Sequence, residues 1–241
     1  MGRKLAAILA GLLLCIPAVG PALAEGELTI VQESYYETHN KYRNTAHIAV
    51  EVKNTGNEIV AFGEGKFELL DVAGEIMLTN EWITMSPSVL NPGDKGYVYA
   101  SLSLDELPDK RPVGKHVLTV AKGANFGVTT GRNYVGSVVY HTAKNPRYEK
   151  PDINNRINAR VFVDVENMET DALYDFGVLF VVKDAEGKLM YFKEDLVFNI
   201  GIKTGSTIEI RDDIDLDTSG YFEEKGIEPA TVEAIVYQVI R

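Results

Sequence analysis

The stretch AHIAVEVKNTGNEIVAFGEGKFELLDVAGEIM, residues 46–77, recurs without a gap as ARVFVDVENMETDALYDFGVLFVVKDAEGKLM, residues 159–190, at a constant offset of 113. Eight of the 32 positions are identical, including Val50/Val163, Asn54/Asn167, Phe67/Phe180, Asp71/Asp184 and Gly74/Gly187. Average residue usage would give roughly two such matches, so the chain is read as an internal duplication.

Within each copy the pattern is that of strands. Ile48, Val50 and Val52 alternate with Ala49, Glu51 and Lys53, as Val161, Val163 and Val165 alternate with Phe162, Asp164 and Glu166. A period of two marks a strand with one face in a core. The runs Asp71-Val72-Ala73-Gly74 and Asp184-Ala185-Glu186-Gly187 predict type I turns, with the carboxylate capping backbone N–H groups and glycine accepting positive φ. Further strands are expected around Tyr97-Val98-Tyr99, Val117–Val120 and Val232–Val236. No segment of ten or more residues beyond the N-terminus shows a period of 3.6. Many short strands between frequent turns predict an all-β protein of two tandem immunoglobulin-like β-sandwich domains. Residues 25–130 and 131–241 are the two units, with the strand-like YVGSVVYH placed near their junction.

The runs Phe67-Glu68-Leu69-Leu70-Asp71 and Phe180-Val181-Val182-Lys183-Asp184, each preceded by a Val-x-Asn turn, resemble the FxLYD-type domains of bacterial and archaeal exported proteins. Leu70 and Lys183 stand where that run has Tyr, and Val182 where it has Leu. The resemblance covers about thirty residues per copy. It implies a small sandwich acting as an extracellular interaction module, and no catalytic residues.

Arg3 and Lys4, the apolar run Leu5–Cys15 and the small-residue pattern Ala22-Leu23-Ala24 predict a cleaved signal peptide over residues 1–24, hence a secreted or extracytoplasmic protein. Lipid anchoring through Cys15 is disfavoured because Leu14, not a small residue, precedes it. No transmembrane anchor is expected in the mature chain. Cleavage leaves no cysteine, which excludes disulfide, thiol-nucleophile and thiolate-metal chemistry. It also leaves 22 basic residues against 35 acidic ones, a formal charge of −13, which excludes nucleic acid as a natural partner.

Candidate sites are sparse. In RDDIDLDTSG, residues 211–220, Asp213, Asp215, Asp217 and then Glu224 fit positions one, three, five and twelve of a calcium loop, with Glu223 a further possible ligand. Thr218, however, occupies the position that needs glycine. With one residue deleted, SLSLDEL (101–107) overlays DIDLDTS (213–219), so the acids read first as the outward face of a strand, with Ile214 and Leu216 in the core. Asp212 has inward parity, which predicts either a β-bulge, also accounting for the deleted residue, or an inward charge guarding an edge. Tyr35, Tyr36 and Tyr42 beside His39 form a possible binding surface, or else the cover of a first strand. Trp82, beside Asn80 and Glu81, reads first as packing, with a sugar platform as the functional alternative. His39, His47, His116 and His141 lack metal spacing.

No cofactor is expected, and no nucleophile elbow or phosphate loop occurs. The function expected is a non-catalytic binding module for an unknown protein or envelope component. The alternatives are an assembly subunit that self-associates through strand edges, a weak calcium-binding module and a carboxylate hydrolase.

Overall fold

A computed structural model describes residues 27–39, 43–107, 111–122, 136–152, 158–226 and 229–240. The signal segment 1–24 with Cys15, Tyr42 and the expected junction near residue 130 lie outside the described residues. In chain order the elements are β1 (Leu28–His39), β2 (Asn44–Asn54), β3 (Val60–Leu70), β4 (Ile76–Asn80), β5 (Thr84–Ser86), β6 (Val89–Leu90), β7 (Lys95–Ser103) and β8 (Lys115–Lys122). They continue as β9 (Ser137–Glu149), β10 (Ala159–Glu166), β11 (Phe176–Lys183), β12 (Leu189–Val197), β13 (Thr207–Ile214), α1 (Leu216–Glu224) and β14 (Thr231–Ile240).

All strand pairs are antiparallel, and the architecture is the expected all-β sandwich, made twice. In the first half β1-β2-β7-β5 faces β3, which pairs with β4, β6 and β8. In the second half the order is β12-β11-β14-β9-β10-β13. Here β9 serves both layers: Ser137–His141 pair with β14, and Thr142–Glu149 pair with β10. The described part of YVGSVVYH, Gly136–His141, therefore belongs to the second sandwich. Its pairing with β10 is interrupted between Phe162 and Asp164, opposite Asn145 and Pro146. Asn145 has φ of 51°, and proline has no N–H to give a ladder, so a bulge is where both residues fit.

The repeat is visible atom by atom. Asn54 and Asn167 are fully buried after their strands. The Asn54 amide donates to the Glu58 and Leu90 carbonyls at 2.7 and 3.1 Å and accepts from Gly56 N at 3.0 Å. Asn167 does the same with Asp171, Ile202 and Glu169 at 2.7, 2.8 and 2.9 Å. The predicted turns close as expected: Asp71 Oδ1 accepts from Ala73 N and Glu75 N, Asp184 Oδ1 from Glu186 N and Lys188 N. Gly74 and Gly187 take φ of 87° and 79°. The N–H groups of Glu75 and Ala73, with Arg111 beside them, hold the Asp71 carboxyl below its ordinary pKa. Phe67 and Phe180 are each wholly buried, in separate cores.

A third apolar cluster joins the halves. Ala49 and Tyr97 of the first meet Leu179, Val181, Phe192 and Tyr237 of the second. This corrects the one-sided reading of the repeat strands: Ala49 and Glu51, at outward positions, are buried because the other sandwich covers them. Around the cluster Lys183 reaches Glu51 at 3.5 Å, Asn91 donates to Val138 O at 3.0 Å, Tyr140 donates to Asp94 at 2.7 Å, and Leu189 N donates to Gln32 at 3.0 Å. Lys183, one of the residues departing from the Phe-x-Leu-Tyr-Asp run, thus contributes an ion pair across the seam.

Candidate functional site

The four aspartates of RDDIDLDTSG do four different things. Asp213 lies on the exposed face of β13, 3.4 Å from Arg160 Nε. Asp212 points inward and pairs with Lys193 Nζ of the facing sheet at 2.6 Å. The pairing of β10 with β13 passes through Val161 and Asp212 without a register shift, so the bulge reading is wrong and the inward charge on an edge strand is right. The deleted residue lies upstream, because Val60 pairs with Leu90 and Leu173 with Ile202, already an offset of 112.

The strand then ends earlier than expected. Asp215 is the N-cap of α1, accepting from Thr218 N at 2.9 Å, and Asp217 sits in its first turn, where the helix dipole favours an acid. Leu216 is half-buried at the helix start and does not continue a core strand. Glu223 and Glu224 are exposed. Among the described residues no three His, Cys, Asp or Glu groups converge as a metal site. The missed helix had one sequence signal, Asp215 three residues before Thr218, which makes a helix cap as readily as a strand.

The tyrosines face opposite ways. Tyr35 stacks on His116 with centroids 4.3 Å apart and donates to Glu37, while His116 Nε2 lies 2.6 Å from Glu33. Tyr36 is buried between the halves, stacked on His47 and on Tyr221 of α1 with centroids 4.8 and 5.0 Å apart. Tyr36 is therefore no ligand surface; its partner is the second sandwich. His47 Nδ1 lies 2.6 Å from the Tyr99 hydroxyl and Nε2 lies 2.9 Å from the Thr38 hydroxyl. Each hydroxyl can donate or accept, which suits a neutral ring. Burial pushes the His47 pKa down to about 4, against the opposing pull of Asp215 and Asp217, with Arg43 adding to the depression. Arg43 clamps α1 through Asp217 at 2.6 Å. His39 is exposed and bonded to Asn44, and His141 to Gln238, so the histidines do not meet.

Trp82 departs furthest from its expected packing role. It is 95% exposed. It sits in the link from β4 to β5, where the chain crosses from one sheet to the other, and it is held rather than loose. Asn80 Oδ1 accepts from Trp82 N at 2.8 Å, Asn80 Nδ2 donates to Ser101 O of β7 at 3.2 Å, and the neighbouring Ile83 is buried. The second copy has Asp195 at the matching position, on a strand that runs on to Val197. The crossing is thus particular to the first half.

Trp82 lines two open grooves, of about 520 and about 660 Å³. Both volumes fall within the ~300–1,000 Å³ of small-molecule sites. Glu64, Lys66 and Thr119 line one; Glu68, Asn80 and Ser103 are among those lining the other. The floor of the first includes Gly65, where a Cβ would come within 2.8 Å of the Phe62 ring and 3.0 Å of Ile83. Among the described residues no helix is long and apolar enough to cross a membrane.

No family model and no curated protein matches the chain. Among solved structures, a β-glucuronidase from glycoside hydrolase family 2 is similar at 10% identity, covering 85% of this chain and 21% of that one, with a TM-score of 0.19. The chain spans about a fifth of that protein's length.

Proposed function

We propose that the chain is an exported, non-catalytic binding module of the cell envelope, with Trp82 as its contact residue. The observation that carries this reading is the chain's one indole, 95% exposed at a crossing whose backbone Asn80 anchors. An aromatic side chain of this size left in water forgoes the burial that drives folding, and rigid mounting lowers the entropy lost when a partner covers it. The N-terminal pattern and the resemblance to FxLYD-type domains support the extracytoplasmic setting.

Two observations weigh against the alternatives. Burial raises the Glu194 and Asp195 carboxyls, which is how an acid catalyst is tuned. But they are successive residues of β12 on opposite faces, Glu194 accepting from the Tyr237 hydroxyl and Asp195 close to Lys193 and Asp212, and neither lines the Trp82 grooves. Assembly by strand addition is opposed at the β13 edge, which carries Glu209, Arg211, Asp212 and Asp213.

The test is sedimentation of the purified chain with bacterial envelopes, wild type against Trp82→Ala. The expected result is saturable binding that the variant loses at unchanged melting temperature. Equal binding by the variant, or none by the wild type, would end the proposal.

A further inference from the structure

Resting on that reading, we infer that the Trp82 surface takes a saccharide chain free of anionic groups. A pyranose ring presents a face of C–H groups inside a rim of hydroxyls. An indole face carries the negative side of its quadrupole and meets the weakly positive C–H groups. The hydroxyl rim then needs acceptors and donors at the platform's edges, and charged acceptors are the stronger ones.

That is the arrangement around Trp82. The two grooves that Trp82 lines place carboxylates at Glu64, Glu81 and Glu106 and an amide at Asn80, with hydroxyls at Thr119 and Ser103. Two grooves that share Trp82, Lys66 and Glu81 give a ligand room to continue past the stacked unit, as a polymer does.

The surroundings argue against a protein hot spot. The core of a protein interface, where a tryptophan anchor sits, is depleted of charged residues, glutamate included. Here the rim is polar and the grooves are open. The sign of the charge selects among saccharides. Four glutamates line the two grooves, against one lysine, Lys66, which is already 2.8 Å from Glu68. A uronate or sulfated chain would bring like charge to this surface, whereas a neutral or amine-bearing chain would not.

Trp82 is the sole tryptophan of the chain, so its emission reports this site without a label. The probes are glucosamine hexamer, N-acetylglucosamine hexamer and oligogalacturonate, titrated while acrylamide quenching of Trp82 is followed. The first two are expected to shield the indole from quencher, and the uronate to leave quenching unchanged. Calorimetry with the same hexamers is expected to show at least a tenfold weaker affinity for Trp82→Ala and near wild-type affinity for Trp82→Phe. Both variants should melt with the wild type, since residue 82 contributes nothing to the core.

Shielding by none of the three, or equal shielding by the uronate, overturns the saccharide inference. If envelopes nevertheless retain the chain through Trp82, the binding-module reading stands while the ligand class falls. Release of reducing ends from either hexamer would instead overturn the non-catalytic reading.

Discussion

Acidification sets the buried His47 ring against the seam that encloses it. The unfolded chain takes a proton on this histidine near its ordinary pKa of about 6.5, whereas the folded chain refuses it until about 4. Because the folded pKa is depressed, the unfolded state binds more protons between these values. The contribution to stability is therefore fully present above about pH 6.5 and is lost as pH falls towards 4, by up to about 1.4 kcal/mol per pH unit. The whole displacement corresponds to about 3 kcal/mol.

The cause is desolvation by the layer formed by Tyr36, Tyr99 and the start of α1, so the loss reports the closed seam between the halves. Urea unfolding from pH 7.5 to 4 is compared for the wild type and His47→Gln, which keeps a neutral hydrogen-bonding side chain. Carboxylate titrations common to both chains cancel in the difference. The wild type's advantage is expected to shrink by about 3 kcal/mol across this range. A difference constant to within about 0.5 kcal/mol would refute the burial of a neutral His47.

Four further outcomes follow from the two cores, the buried asparagines, the Arg43 ion pair and the acidic run. Phe67→Ala and Phe180→Ala should each cost about 3–5 kcal/mol in urea unfolding through the cavity they leave, and a loss under about 1 kcal/mol would remove them from their cores. Asn54→Ala and Asn167→Ala should each cost at least about 2 kcal/mol, because each removes a wholly buried amide that makes three hydrogen bonds to its turn and the neighbouring segment. Arg43→Ala, which breaks a half-exposed ion pair, should cost less than about 1 kcal/mol in the same assay. Millimolar calcium should leave the melting temperature unchanged, since the aspartates of residues 212–217 are spent on a lysine, a strand face, a helix cap and an arginine; a rise of several degrees would show a site that binds the folded chain.

The duplication was legible because cores and turns impose residue types that survive divergence. Phe67 and Phe180 fill the same position in each sandwich, Asp71 and Asp184 satisfy the same turn N–H groups, and glycine is needed where φ is positive. The seam was less legible. Ala49 and Glu51 occupy alternate positions that look solvated, and only a neighbouring sandwich makes them interior. The run Phe176–Val182, FGVLFVV, was the available signal, since an unbroken apolar strand has both faces covered.

The end of RDDIDLDTSG was misjudged because alternation of Ile214 and Leu216 continues by chance into a helix that Asp215 caps. Trp82 was misjudged for a different reason. An indole's natural place is a core, and sequence spacing carries no sign that Asn80 would turn the chain outward at this crossing.

Presentation of the single indole to solvent is read most directly from the intrinsic fluorescence of the native chain. An exposed Trp82 gives a red-shifted emission open to acrylamide, barely changed when urea unfolds the protein. A blue-shifted, quencher-protected emission that moves to the red on unfolding would place Trp82 in a core and contradict it.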